Sequence, residues 1–202
     1  KSGFVNYHVA QEATLSITPG DTLSDSNAQN ALLSTIGDGT ISLNGNLSIA
    51  AGSVSQATGK LAIREGATLT MNNNSKAAVY DLSSFTSVDL LGGTIRYHGA
   101  NFTLNNVKVD TADGTLSIED MKGDGSACDT FTMAGTTTLN TALNIKSTNW
   151  KYKIAIEKLT GSGDLSFASS STHDTARAAV IIDSLDAGYS GTLTATKNSG
   201  AA

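Results

Sequence analysis

Apolar and polar residues alternate along most of this chain, in short runs that rarely exceed five residues. Thr40-Ile41-Ser42-Leu43-Asn44 alternates, as do Asn46-Leu47-Ser48-Ile49, Lys60-Leu61-Ala62-Ile63-Arg64 and Thr68-Leu69-Thr70-Met71. The pattern returns in Thr94-Ile95-Arg96-Tyr97, Phe102-Thr103-Leu104, Val107-Lys108-Val109, Thr115-Leu116-Ser117-Ile118 and Leu143-Asn144-Ile145-Lys146. A period of two places one side-chain row inward and the other outward, so each run predicts a strand. Between the runs lie Gly37-Asp38-Gly39, Asn44-Gly45-Asn46, Asn72-Asn73-Asn74, Gly92-Gly93 and Asp113-Gly114. Gly and Asn there supply the positive-φ positions of turns. Helical patterning is scarce. Residues 26–33 predict a short helix capped by Ser24 or Asp25, whereas the β-branched end of residues 175–182 favours a strand.

One word recurs, Gly-x-(Leu/Ile)-x-apolar. It begins at Gly39, Gly59, Gly93, Gly114, Gly163 and Gly191, with the 49-residue gap after Gly114 wide enough to hide one degenerate coil. A loose repeat of this length marks stacked units that cannot bury an apolar face alone. The expectation is an all-β solenoid with Leu43, Ile63, Tyr97, Ile118 and Phe167 pointing inward. An antiparallel β-sandwich with ordinary Gly turns is the alternative. Residues 1–202 read as one solenoid domain, and residues 1–36, which match the word poorly, as an N-terminal cap over the first open edge.

Composition supports stacked strands. Of 202 residues, 26 are Thr, 24 Ser and 15 Asn, and one is Pro. Short polar side chains can ladder along a stack, and proline would remove ladder donors. Thirteen basic against eighteen acidic residues give a net charge of −5 with no clustered Lys and Arg, which argues against a nucleic-acid partner. No apolar run is long enough to cross a membrane as a helix, so no membrane insertion is expected of this segment. The lone Cys128 excludes a disulfide framework and a cysteine zinc site. Lys1-Ser2-Gly3-Phe4-Val5 opens in polar sequence without a signal peptide, so an exported chain is expected to be a mature piece or fragment.

Near the C-terminus the pattern sharpens. Leu159-Thr160-Gly161-Ser162-Gly163-Asp164-Leu165-Ser166-Phe167 is followed by Leu185-Asp186-Ala187-Gly188-Tyr189-Ser190-Gly191-Thr192-Leu193-Thr194. This pairing resembles the autotransporter-associated β-strand repeat of bacterial passenger proteins. It covers residues 159–197 well and residues 37–118 through the looser word. The resemblance implies a right-handed parallel β-helix, exported and displayed at the bacterial cell surface or released. The chain itself carries no β-barrel translocator pattern.

Candidate chemistry is thin. The densest acidic group is Asp110, Asp113, Glu119, Asp120, Asp124 and Asp129, which fits neither calcium-loop spacing and reads as turn-capping residues. His8, His98 and His173 share no ligand spacing, and Gly161-Ser162-Gly163 lacks the frame of a nucleophile elbow or phosphate loop. No catalytic residue, metal site or cofactor is expected. Weak ligand-binding candidates are Trp150 and Tyr152, as a stacking platform for sugars if outward-facing, and Asp120 and Asp124 in the least regular insertion. The expected function is a non-catalytic, adhesin-like passenger segment. Its partner would be a host or environmental glycan or protein. A carbohydrate-binding module and a β-helix polysaccharide lyase or glycosidase are the alternatives.

Overall fold

A computed structural model of the chain describes residues 5–17, 31–50, 54–55, 57–72, 82–98, 102–119, 130–147, 153–169 and 179–197. Among these residues the chain forms strands and no helix. The first half holds β1 (Val5–Val9), β2 (Thr14–Ile17), β3 (Ala31–Thr35), β4 (Thr40–Leu43), β5 (Leu47–Ala50), β6 (Val54–Ser55), β7 (Lys60–Arg64), β8 (Thr68–Asn72), β9 (Ser87–Leu91) and β10 (Thr94–His98). The second half holds β11 (Phe102–Asn105), β12 (Val107–Val109), β13 (Gly114–Glu119), β14 (Thr130–Leu139), β15 (Leu143–Ser147), β16 (Lys153–Gly161), β17 (Leu165–Ser169), β18 (Ala179–Leu185) and β19 (Leu193–Lys197).

Every pairing between these strands is parallel. Strands that neighbour each other in a sheet are separated in sequence by one winding, so the chain is a right-handed parallel β-helix. One sheet runs β1-β3-β6. A second runs from β2 through β4, β7, β9, β12, β14 and β16 to β18. A third runs β5-β8-β10-β13-β15-β17-β19, and β11 pairs with the first half of β14. The sandwich alternative is excluded, because it requires antiparallel neighbours.

The alternation read from sequence becomes rows along the helix axis. In the third sheet Leu47, Leu69, Ile95, Leu116, Ile145 and Phe167 follow one another in register. In the second, Leu43, Ile63, Leu90, Val109 and Leu139 do the same. All of these are buried and belong to one continuous core. Each such side chain contributes about 1.5–3 kcal/mol relative to exposure, and a one-residue slip would turn the whole row to solvent. Leu43, Ile63, Tyr97, Ile118 and Phe167 point inward as expected. At mid-stack Tyr97, Phe102 and Phe131 pack with ring centroids 5.3–5.7 Å apart.

The glycine of the repeated word is explained by close approach of successive windings. A Cβ on Gly163 would overlap the Thr141 carbonyl of the winding before it, and one on Gly191 would overlap the Gly163 carbonyl. The long gap in the word is the winding of β15, where Leu143 is level with Leu165 and Thr141 stands in place of the glycine.

The helix expected over residues 26–33 is corrected in part. Ala31, Leu32 and Leu33 belong to β3 and pair with Val5, Asn6 and Tyr7. The parallel ladder overrides the local helix propensity, because it satisfies the same backbone groups while joining the stack. Residues 26–30 lie outside the described residues. Over 175–182, the described part, Ala179 to Ile182, is strand. Within residues 1–36, strands β1, β2 and β3 already belong to the sheets of the stack, and Val9 and Ile17 are buried.

Candidate functional site

Polar side chains gather at the two corners where the chain turns from sheet to sheet. Entry to the second sheet is one corner. There the Gly59 N–H donates to Thr35 Oγ1 at 2.7 Å, and Thr58 Oγ1 donates to the Gly37 carbonyl at 3.0 Å. Thr86 Oγ1 then donates to the Gly59 carbonyl at 2.8 Å, and Asn106 Nδ2 to the Thr86 carbonyl at 2.9 Å. Asn106 Oδ1 accepts the Thr136 N–H at 3.0 Å, while the Gly135 N–H donates to Glu157 Oε2 at 2.7 Å. The bonds form a ladder up one edge of the molecule. Each joins a winding to the next.

Backbone geometry fits this ladder. Asn106 has φ 47° and Gly135 φ 69°, where the strand pair β14–β16 shifts register between Met133 and Thr136. Asn tolerates the left-handed region better than most residues, and glycine leaves room for the Asn106 side chain that a Cβ would strike. The bend lets β14 and β16 serve two sides of the helix as single strands.

The second corner leads into the third sheet and holds Glu65, Asp110, Asp113, Asp164 and Asp186. Asn46 Oδ1 accepts the Thr68 N–H at 3.0 Å, Asp113 Oδ1 the Ala142 N–H at 3.1 Å, and Asp164 Oδ1 the Thr192 N–H at 2.7 Å. Asp110 ion-pairs with Lys108 at 2.7 Å and accepts the Thr111 N–H. Its carboxyl is held below the usual carboxylate range, first by the Lys108 hydrogen bond and then by the Thr111 N–H. Lys108 is raised by the same bond. Asp186 is likewise lowered, by the Gly188 N–H and then by Lys158. Tyr189, whose hydroxyl donates to the Gly163 carbonyl at 2.9 Å, is raised by partial burial. These groups hold turns together, and their carboxylates face backbone amides or lysines rather than one another.

Of the acidic group noted in sequence, Asp110 and Asp113 are turn residues of this kind, and Glu119 ends β13 level with His98. Asp120, Asp124 and Asp129 lie outside the described residues, as do Trp150, Tyr152, Cys128 and His173. The strand after Tyr152 is described. Its Ile154 and Ile156 are buried and its Glu157 is exposed. His8 is exposed and stands 3.1 Å from Ser34 Oγ. Among the described residues no three His, Cys, Asp or Glu side chains group as a metal site would require. The roles of Asn106 and Glu157 were missed from sequence. The signal for them was a glycine inside an otherwise alternating strand, opposite an Asn one winding earlier.

On the outer face of the third sheet, Thr68, Thr94, Thr115, Asn144, Ser166 and Thr194 stand in register, and Ser166 Oγ donates to Asn144 Oδ1 at 2.8 Å. The Ser, Thr and Asn content is thus distributed between corner ladders and an outward row. Set beside known proteins, the chain matches no family model, no curated protein and no solved structure.

Proposed function

We propose that this segment is a non-catalytic structural scaffold, an adhesin-like passenger segment displayed at the bacterial surface, that works by extension and presentation. The observation that carries the reading is the use of the corner side chains. Thr35, Thr86, Asn106, Asp113 and Asp164 each bond the backbone of a neighbouring winding. Polar groups committed in this way make each winding a template for the next, and length grows with winding number. The resemblance of residues 159–197 to passenger repeats supports surface display.

The test is a glycan panel read for both binding and turnover. The scaffold reading expects no turnover of any glycan. Cleavage of a polysaccharide, abolished by Asp120→Ala or Asp124→Ala, would replace it with the lyase or glycosidase reading.

A further inference from the structure

The turn between β12 and β13 is held in a conformation that its sequence resists. Thr111 has φ 64°, inside the left-handed region, where a β-branched residue is a genuine outlier. In other windings the same corner gives its positive φ to glycine, at Gly66, Gly92 and Gly161. The Ala112 N–H donates to the Asp110 carbonyl at 2.8 Å and closes a γ-turn around Thr111, of the rare and strained kind. Lys108 and the neighbouring windings keep it there. The Asp110 N–H donates to the Leu90 carbonyl at 3.0 Å, Lys108 holds the Asp110 carboxylate at 2.7 Å, and Thr141 Oγ1 donates to the Ala112 carbonyl at 2.9 Å. Strain persists only where its surroundings over-determine it, and there it is available to chemistry.

Three groups converge on the peptide bond between Asp110 and Thr111. Thr111 Oγ1 donates to the Asp110 carbonyl oxygen at 2.6 Å, so the hydroxyl lies against that carbonyl group. The Ala112 N–H already points at the same oxygen, where negative charge would develop in an attack on the carbonyl. Asp110 Oδ1 accepts the Thr111 N–H at 2.8 Å, beside the nitrogen that would leave. Thr111 is exposed, so water reaches the bond.

We propose that the bond between Asp110 and Thr111 is a site of self-cleavage, with the Thr111 hydroxyl as nucleophile and the strained turn as the device that positions it. Thr111 Oγ1 attacks the Asp110 carbonyl carbon through a five-membered ring, and the Ala112 N–H stabilises the oxyanion. The C–N bond then breaks. The hydroxyl proton passes by way of Asp110 Oδ1 to the Thr111 nitrogen, which becomes a free amine, and an ester joins the two residues. Water hydrolyses that ester, which leaves a carboxyl group on Asp110 and restores the Thr111 hydroxyl. Transfer from nitrogen to oxygen opens the γ-turn and frees Thr111 from its positive φ, so the strain favours the forward step. The two pieces stay together, because β12 pairs with β14 across the break and β13 pairs with β10. Cleavage nicks the stack without opening it, and each chain is processed once. The inference does not depend on surface display.

The test is the mass of the full chain, read under denaturing conditions after prolonged incubation at neutral pH, with and without hydroxylamine, which captures esters. The parent is expected to split into residues 1–110 and 111–202, and to do so faster in hydroxylamine. Thr111→Ser keeps the nucleophile and should split as well. Thr111→Val keeps the shape without the hydroxyl, Thr111→Gly removes both hydroxyl and strain, and both should stay whole. Glycine adopts positive φ freely, so Thr111→Gly should keep the parent's unfolding midpoint, which separates lost cleavage from lost folding. The parent held unfolded in guanidinium should also stay whole, because the fold imposes the geometry. A parent that stays whole in hydroxylamine, or an unfolded chain that splits as fast as the folded one, would overturn the proposal. Splitting of Thr111→Val or Thr111→Gly at the parent's rate would also overturn it, and would assign the break to the Asp110 carboxylate or to a protease.

Discussion

In the first winding, Val9 and Ile17 are 3% and 7% exposed, and Leu15 is half-buried. In the last, Leu185, at the far end of a continuous row in the same sheet, is half in water. The local sequences do not account for this. Thr14-Leu15-Ser16-Ile17 and Leu193-Thr194-Ala195-Thr196 are both short alternating strands with small hydroxylated polar partners. By strand pairing both are end windings, since β2 pairs with β4 alone, as β18 does with β16 and β19 with β17. In a stacked array the burial of a side chain belongs to the interface between two windings rather than to either one, so stability is a sum over interfaces. The middle windings have two strand interfaces each, and the first and last described ones have a single one.

The largest test of that difference is a truncation in the same sheet at two heights. Leu116 is buried between Ile95 and Ile145, and Leu116→Ala should cost about 2–5 kcal/mol. Leu193→Ala, one edge exposed, should cost less than about 1 kcal/mol, and Thr115→Ala, on the outward row, should stay within about 0.5 kcal/mol. Urea unfolding midpoints decide the matter. Equal losses for Leu116 and Thr115 would mean that the register is wrong.

Next in size is the close approach of glycines. Gly163 lies between Thr141 below and Gly191 above, so an added methyl at Gly163→Ala should cost about 1–3 kcal/mol. Gly191→Ala makes a similar overlap with the Gly163 carbonyl and also meets the Tyr189 hydroxyl, but no described winding is stacked on its far side, so the last turn can move away. Its cost should be smaller, and thermal midpoints of the two variants should show that order.

A change of opposite sign is expected at mid-stack. Thr137 is fully buried in a row with Leu159, and its hydroxyl has no hydrogen-bond partner. Thr137→Val keeps the shape, removes the unsatisfied group and should raise stability by about 1 kcal/mol. Thr196→Val, in the exposed winding, should change it by no more than about 0.5 kcal/mol. Paired urea titrations of both variants measure the contrast.

The smallest effect is on pH. The carboxyl of Asp186 is lowered in the folded chain, so its stabilising contribution is complete above the unfolded-state value near pH 4 and is lost as pH falls through the lower folded one. Asp186→Asn should remove that part of the acid sensitivity and leave stability at pH 7 to 5 with the same flat profile. Melting temperatures taken from pH 7 to pH 2 test it, and a variant with unchanged acid sensitivity would refute the assignment. Asp110→Asn at mid-stack should behave alike, since Lys108 and Thr111 lower it in the same direction.

How far the fold was legible follows from what is local. Parity is local, so the inward assignment of Leu43, Ile63, Tyr97, Ile118 and Phe167 could be made from five-residue words. Winding length was legible in part. Gly39 and Gly59, and Gly163 and Gly191, stand one winding apart with backbone contact that forbids a Cβ. Gly59 leads into the second sheet and Gly93 into the third, however, so the 34-residue gap between them is not a winding. The corner ladder was not legible. It depends on Asn106 lying opposite Thr86 on one side and Thr136 on the other, and these are far apart in sequence. Nor was the burial of Ser42 and Ala62, which parity places outward. Arg64 Nε donates to Ser42 Oγ at 3.2 Å and lies across that face, a contact no periodicity announces. For the site, Asp110 caps its own turn as read, whereas Asp113 bonds the Ala142 N–H of the next winding, and Trp150, Tyr152, Asp120 and Asp124 fall outside the described residues.

The corner ladder has a kinetic consequence. Its side-chain bonds between windings span 20 to 30 residues, whether near the start of the stack or near its end. Adding windings therefore lengthens the molecule without lengthening any loop that must close, and the closure entropy of each new step stays constant. Relative contact order falls as the array grows, unlike that of a sandwich or barrel, whose closing strands come from opposite ends of the chain. Such a chain can grow as a crystal face does, each finished layer being the surface on which the next is laid. A polypeptide released slowly from one end could then wind up as it emerges, with about one layer unfinished at any moment.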